Sequence, residues 1–479
     1  MIKPMTQHVI IIGGGISGLA TAYYLQQQAQ AKNLPLTYTL IEKQPTFGGK
    51  IVTDTRDGFV IEGGPDSFIS QKPWARQLCQ ELGLQDRLIG TNDEQRKTFI
   101  LHNGRLQALP DGVMLIIPTR FMPFALSPLI SPWGKLRMGL DLFIPAKTDE
   151  ADESLADFIR RRLGNEALEK IAEPLMAGIY VADPTTLSLQ STFPRFRQIE
   201  KKYGSLIKGM LAQQQASSKS SQPKLPLFMT LRGGLTELVN TIVAKLTGEL
   251  RPHQTVNRLN YQATEAQPYE VLLADGQTRR ADRVILATPA YITAGLLEPY
   301  NPALAEQLRA IRYLSTATVS LAFNKADIAH PLNGFGFVIP KKENTRLMAC
   351  TWVSTKFNHR APNDQILLRV FIGGYKNEAL VDWPTDKLLA LVREELAKIM
   401  GITARPTRQQ LYRWPIGNAQ YDVGHLARVA TIEAETQNTL PHLYLTGSAF
   451  LGVGLPDCIY QGQQTAIKVI ADMEGVKNI

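Results

Sequence analysis

Three glycines carry the clearest chemical signal in this chain. Gly13, Gly15 and Gly18 stand in Val9-Ile-Ile-Ile-Gly13-Gly14-Gly15-Ile-Ser-Gly18-Leu-Ala, an apolar strand feeding a G-x-G-x-x-G turn and then a helical pattern through Leu19, Ala22, Tyr23 and Leu25. Gly13 permits the tight turn, Gly15 lets a pyrophosphate come up to the backbone, and Gly18 lets the helix pack close on the strand. The phosphates would sit on the positive helix N-terminus. A second strand, Tyr38-Thr-Leu-Ile-Glu42-Lys43, ends in a carboxylate placed to accept ribose hydroxyls, and no Arg stands there to take a 2′-phosphate. The chemistry this spacing predicts is dinucleotide binding. A merely structural glycine turn is the competing reading, and the strand before, the helix after and the acid beyond weigh against it.

Further small residues recur where backbone would have to approach the rest of a long ligand. Gly48-Gly49 comes directly after the second strand and is followed by Lys50; Glu62-Gly63-Gly64-Pro65 makes another turn; near the end, Leu443-Tyr-Leu-Thr446 runs into Gly447. Taken alone, each is also an ordinary turn. No His/Asp/Ser set, metal-ligand cluster or carboxylate pair stands in motif context, and the 7 His are scattered.

The elements that must position these residues belong to a chain of 479 residues, long enough for two or three domains. Hydrophobic residues make up 44% and charged residues 20%, which excludes a wholly disordered, collagen-like or coiled-coil chain. The net charge of +9 leaves nucleic acid, an acidic membrane surface and polycarboxylate ligands open as partners. Only Cys79, Cys350 and Cys458 occur, with no C-x-x-C pair, which fits a reducing cytoplasm, and the short polar stretch ahead of the first strand leaves no room for a signal peptide. Residues 113–132 are strongly apolar, but Arg120 and Pro118, Pro123, Pro128 and Pro132 would disrupt a spanning helix. That run is either a buried irregular segment or a surface dipping into one leaflet. Ser154 and Asp157 cap a helix through Leu155, Phe158, Ile159 and Leu163 that Gly164 stops. Residues 213–226, rich in Ser and Gln, are expected to form a mobile loop or linker. Beyond them short strands are predicted over 269–273, 283–287, 316–323, 335–339, 347–353 and 366–372.

The first strand–turn–helix, the Gly48-Gly49 segment and the C-terminal strand turn together resemble the flavin-containing amine oxidase and protoporphyrinogen oxidase superfamily, where these pieces enclose FAD. The likeness sharpens in the middle of the chain, at Pro174-Leu-Met-Ala-Gly178-Ile-Tyr180-Val-Ala182-Asp183, Leu187-Ser188, Ser191-Thr-Phe-Pro194 and Glu200-Lys-Lys-Tyr-Gly204-Ser-Leu-Ile-Lys-Gly209. It continues through Arg413-Trp414-Pro415, Tyr421, Gly424 and His425 to Gly452-Val-Gly454-Leu-Pro456-Asp457-Cys458-Ile-Tyr-Gln461-Gly462. These runs look like the bacterial porphyrinogen oxidases of haem synthesis. The resemblance implies FAD, held noncovalently by Gly13, Gly14, Gly15, Ser17, Gly18, Glu42, Lys43, Gly48, Gly49, Lys50, Gly63, Gly64, Pro65, Val256, Trp414, Gly447, Gly454 and Leu455. It also implies a six-electron oxidation of a reduced tetrapyrrole by three hydride removals, with O2 as final acceptor. The flavin carries that chemistry, so no side-chain acid or base is demanded.

On the substrate side, animal and plant-type relatives carry an Arg just before an aromatic strand; here Thr98 falls at that place in Lys97-Thr98-Phe99-Ile-Leu-His-Asn-Gly104, a departure from their pattern. Lys72 falls where bacterial coproporphyrinogen-type enzymes have a lysine taken to meet a propionate. Arg96 and Lys97 are alternative carboxylate partners, and all three also suit a solvated surface. Gly178, Phe357 and Tyr375 are the remaining pocket candidates, with core packing an equal account of either aromatic.

The expected fold is α/β (α+β overall): a Rossmann-like FAD-binding domain from residues 1–60, 230–298 and 432–479, a mixed-sheet substrate domain from 61–110, 192–229 and 299–431, and a helical insert over 111–191. The expected activity is oxidation of coproporphyrinogen III to coproporphyrin III. Protoporphyrinogen IX oxidation is the close alternative; a flavin amine oxidase and a non-catalytic binder of GDP-dissociation-inhibitor type are distant ones. A tetrapyrrole and O2 are the expected partners, without nucleic acid. Peripheral contact with the inner face of a membrane through 113–132, and contact with the next haem-pathway enzyme, complete the expectations for a cytoplasmic protein.

Overall fold

The computed structural model describes residues 6–110, 113, 114, 117, 118, 127–218 and 225–475; half of the apolar run 113–132 and residues 219–224 of the polar stretch lie outside the described residues. A strand apolar on both faces must be buried on both, and Gln7–Ile12 is the middle strand of a five-stranded parallel sheet. Its order is Glu249–Arg251, Leu36–Ile41, Gln7–Ile12, Arg283–Leu286, Leu443–Leu445. Val9 and Ile11 enter one core with helices Ile16–Ala31, Thr236–Lys245 and Leu455–Met473. Ile10 and Ile12 enter a second core with helices Ala290–Leu297, Pro302–Arg309 and His425–Thr439.

A seven-stranded mixed sheet faces the carboxyl ends of these strands, in the order Arg408–Ala419, Tyr313–Asn324, Gln365–Gly373, Leu347–Trp352, Gly336–Val338, Thr98–His102, Arg105–Ala108. Side chains alternate along its strands. Ala317, Val319, Leu368 and Val370 pack with helix Thr385–Met400, whereas Thr316, Thr318, Arg369 and Phe371 face the other way.

A third core is helical: Phe158, Ile171, Met176, Phe196 and Leu206 meet from helices Leu155–Leu163, Glu173–Tyr180, Pro194–Tyr203 and Leu206–Ser218 and the π-turn Leu168–Ala172. It runs past residue 191 through Phe193 and Ile199. The cap at Ser154 forms as expected, its Oγ accepting from the Asp157 N–H at 3.0 Å, and Gly164 ends the helix at φ 92°. The expected loop is corrected over residues 213–218, which continue helix Leu206–Ser218. Gln and Ala are good helix formers, so polarity without periodicity did not break the helix. At the centre of this core the fully buried Arg162 meets Asp141 at 2.5 Å and Glu200 at 3.5 Å.

Four large apolar side chains stay outside the cores at helical spacing. Trp133 (80% exposed), Leu136, Leu140 and Phe143 (81% exposed) form a stripe on helix Pro132–Gly139 and the turn that follows it. Among the described residues no helix is long and apolar enough to cross a membrane.

Candidate cofactor and substrate cavity

A cavity of about 740 Å³ opens between the carboxyl ends of the parallel strands and the inner face of the seven-stranded sheet, the place where open α/β sheets bind ligands. Its floor is the glycine turn. Gly13 takes φ 110°, and a Cβ on Gly18 would come within 1.9 Å of the Gly13 carbonyl oxygen, so this glycine is what lets helix and strand touch. A Cβ on Gly15 would meet nothing within 4 Å, which leaves that backbone open to the cavity. Glu42, at the end of its strand, accepts from the Gly14 and Gln44 N–H groups, each at 2.7 Å, fixing the carboxylate beside the cavity with acceptor capacity to spare. Gly48-Gly49 lies against the turn itself: the Gly48 N–H donates to the Gly14 carbonyl at 2.8 Å, and a Cβ on Gly49 would stand 3.2 Å from the Gly15 Cα.

The walls carry three cations, Lys43, Lys50 and Arg369. Lys50 lines the cavity and donates to the Gly417 carbonyl, and desolvation by the surrounding protein pulls its pKa down. Arg369 is buried in the interior strand Gln365–Gly373 and donates to the Gly63 carbonyl at 3.0 Å and to the Gly64 carbonyl. Trp414 Nε1 and Thr318 Oγ1 donate to the same Gly63 carbonyl at 2.9 and 3.1 Å, so three side chains of the sheet hold this turn in place. The Arg369 Nε is buried without a partner among the described residues. Two acids behind the turn diverge. Burial pushes Glu62 up to about 7, against the Thr53 hydroxyl and nearby Arg360, whereas Lys356, 3.0 Å away, and Arg369 overcome burial and hold Asp66 well below the usual carboxylate range.

The third side is the turn ahead of helix Leu455–Met473. Tyr421 OH donates to the Ser448 carbonyl at 2.9 Å and accepts from the Gly452 N–H at 2.7 Å. Its ring stacks on His425 at 3.9 Å, and His425 Nε2 bonds the Phe450 carbonyl at 2.8 Å. Gly462 lets this helix lie on the fingerprint helix, since a Cβ there would come within 2.7 Å of the Ser17 carbonyl oxygen.

The cavity brings together Gly13, Gly15, Ser17, Glu42, Lys43, Gly48, Gly49, Lys50, Gly64, Pro65, Val256, Trp414, Gly447 and Leu455 from four distant parts of the chain. Gly14, Gly18 and Gly63 are buried beside it, and Gly454 is not part of its lining. Of the substrate candidates, Gly178 lines it. Lys72 instead reaches both oxygens of Asp457 at 2.7 Å, and Arg96 and Lys97 are exposed. Phe357 is fully buried in the core beside Lys356 and Arg360, and the Tyr375 hydroxyl donates to Glu173. Sequence reasoning passed over Arg369, Phe371, Thr318, Met348, Val181 and Cys458, all of which line the cavity. Arg369 had a signal, as the one charge in the apolar run Ile366-Leu-Leu-Arg369-Val-Phe-Ile372.

An open helix N-terminus, an anchored ribose-type carboxylate and a guanidinium in the cavity wall suit a dinucleotide with a polar, electron-rich head. The comparisons agree. The family model for flavin containing amine oxidoreductase matches residues 16–470. The chain is 39% identical to a Bacillus subtilis protein named coproporphyrinogen III oxidase, covering 95% of this chain and 96% of that one. It is 35% identical to a Staphylococcus aureus protein of the same name, covering 98% and 100%. A solved structure from Exiguobacterium sp. 255-15, assigned as a protoporphyrinogen oxidase, superposes with a TM-score of 0.86 at 32% identity over 98% of this chain and 99% of its own. With the fingerprint, the Gly-Gly segment and the C-terminal turn enclosing one cavity, the chain belongs to the flavin containing amine oxidoreductases and, among them, to the porphyrinogen oxidases.

Proposed function

We propose that the protein binds FAD noncovalently and oxidises coproporphyrinogen III to coproporphyrin III. The observation that carries the substrate is the near full-length match to two relatives bearing that enzyme's name. In this reading the N–H groups of the helix start at Gly15, Ile16 and Ser17 hold the pyrophosphate, and Glu42 holds the ribose. The sheet face of Thr316, Thr318, Met348 and Phe371 walls the space left for a flat macrocycle. Lys50 and Arg369 keep positive charge where electron density builds up. Bound flavin supplies the hydride acceptor and the route to O2, so that one porphyrinogen and three O2 give one porphyrin and three H2O2. The chain's part is to orient the ring carbon and exclude water.

Side-by-side kcat/KM values on coproporphyrinogen III and protoporphyrinogen IX test this. The first should be larger; a larger second value transfers the protein to protoporphyrinogen oxidation, and turnover of neither sinks the reading. Acid precipitation should release all the flavin, with the mass of FAD. A colourless protein that takes up no FAD would instead favour a non-catalytic binder.

The same reading includes peripheral contact with a membrane through residues 113–132 and the adjoining stripe of Trp133, Leu136, Leu140 and Phe143, supported by the exposure of that stripe. The protein should co-sediment with anionic lipid vesicles and lose this with the pair Trp133→Asp and Phe143→Asp. Wild-type protein left wholly in the supernatant refutes the contact.

A further inference from the structure

Among the described residues, two β-branched side chains sit on left-handed backbone: Val181 at φ 59° and Ile416 at φ 47°. Val181 is part of the cavity lining, whereas Ile416 is exposed and only neighbours the lining residue Gly417 in sequence. A branched Cβ is poorly suited to this backbone, so such a conformation persists only where the surroundings enforce it, and it gathers at functional sites. Val181 follows helix Glu173–Tyr180 directly, its N–H donating to the Ala177 carbonyl at 3.1 Å, in the capping position that glycine usually fills.

The surroundings explain how the conformation is kept and what it presents. A Cβ on Gly374 would come within 2.6 Å of Val181 Cγ1 and 2.9 Å of the Met348 sulfur, so the valine is wedged where the helical part meets the end of strand Gln365–Gly373. One turn back, Gly178 lines the cavity without a side chain, and a Cβ there would meet only Val338, at 3.2 Å. A hollow at Gly178 and a branched apolar projection at Val181 therefore share the cavity wall with Met348 and Phe371. Glycine at 181 would satisfy the cap without strain but would remove the projection.

We propose that Val181 selects substrates by shape: the strained cap holds its isopropyl group at the cavity, where it limits the bulk and polarity of the substituents along one edge of the macrocycle. This rests on the porphyrinogen oxidase reading. An apolar branched group suits a vinyl substituent and crowds the longer, charged propionate, so Val181 tempers the preference for coproporphyrinogen III that the rest of the cavity sets, and its removal widens that preference.

Val181→Gly should therefore raise the ratio of kcat/KM for coproporphyrinogen III over protoporphyrinogen IX about fivefold or more, while the melting temperature stays level or rises as the backbone relaxes. Val181→Ile, branched at the same carbon and equally apolar, should keep the ratio within twofold of wild type or lower it. If Val181→Gly fails to hold flavin, Val181→Ala serves for the same ratio, and fluorescence titration with coproporphyrin III and protoporphyrin IX reads the same preference without turnover. A ratio within twofold of wild type in the flavin-loaded variants overturns the inference, as does a lower melting temperature with unchanged preference, which would make Val181 a packing residue. Failure of the wild type to oxidise either porphyrinogen is a different result, and it removes the functional reading on which the inference stands.

Discussion

Alanine at Gly15 and alanine at Gly18 should have opposite consequences, although three positions on one turn separate them. At Gly15 the backbone has φ −69° and ψ 178°, which alanine adopts freely, and the added Cβ meets nothing within 4 Å. Restricting the unfolded chain then stabilises by about 0.4–1 kcal/mol, and the loss of glycine from the helix N-cap costs up to about 1 kcal/mol. The two nearly cancel, so the flavin-free Gly15→Ala protein should unfold within about 1 kcal/mol of wild type. The methyl instead occupies the space needed by the pyrophosphate. Flavin at a hundred times its Kd contributes about 2.7 kcal/mol to stability, and that contribution is what Gly15→Ala should lose. At Gly18 the added Cβ lies 1.9 Å from the Gly13 carbonyl oxygen and 3.1 Å from its carbon, atoms of a backbone turn that cannot swing aside. Helix and strand must separate, at the upper end of the ~1–3 kcal/mol typical of overpacking or beyond it, with or without flavin. Urea denaturation of flavin-stripped and FAD-loaded samples, with flavin content from absorbance, separates the two variants. Full flavin content and wild-type holo-stability in Gly15→Ala would refute the placement of the pyrophosphate, and an unshifted flavin-free midpoint in Gly18→Ala would refute the packing.

Glu62, pushed up to about 7 by burial from an ordinary 4.5, keeps a proton that the unfolded chain has already lost, so its cost to stability grows as pH rises from about 4.5 to 7. Glu62→Gln should gain on wild type across that window, by up to about 3 kcal/mol near neutrality; urea midpoints at several pH values that run parallel would refute this. Arg162→Met leaves Asp141 buried in the helical core without its cation, whereas Glu200 keeps Arg161 and Arg197, and it should cost about 3–5 kcal/mol by denaturant titration, a loss under about 1 kcal/mol counting against the buried network. Lys72 is 45% exposed and its partner Asp457 14%, so Lys72→Ala should change folding by less than about 1 kcal/mol. A fall in kcat/KM on coproporphyrinogen III well beyond that on protoporphyrinogen IX would make it a propionate partner, and changes within twofold on both would leave it serving Asp457 alone.

The parts of the site legible in the sequence are those whose pieces are consecutive. Gly13, Gly15 and Gly18 could be assigned separate tasks because the strand, turn and helix they join are adjacent, and each task has a geometric counterpart. Gly48-Gly49 was visible as a pair of small residues and through resemblance; that Gly49 must be small because Gly15 lies against it depends on two segments meeting in space. Tyr421 and His425 were visible only through resemblance, and their work, clamping the carbonyls of Ser448 and Phe450 beside the cavity, belongs to a loop more than twenty residues further on.

The sheet wall was the least legible part, and the reason is the period of two along a strand. Thr316, Thr318, Met348, Arg369 and Phe371 come from three strands, and each alternates with residues committed to the core, so no contiguous motif records them. The aromatic chosen from motif context, Phe357, lies buried in the core, while Phe371 faces the cavity because it stands two positions from Arg369 on the same face of its strand. Arg369 could have been found by a rule that needs no motif. A guanidinium in the middle of an apolar strand is too costly to bury unless it faces polar groups or a ligand. Here it faces the carbonyls of Gly63 and Gly64 and lines the cavity, so the charge that looked anomalous in the strand marks the wall of the site.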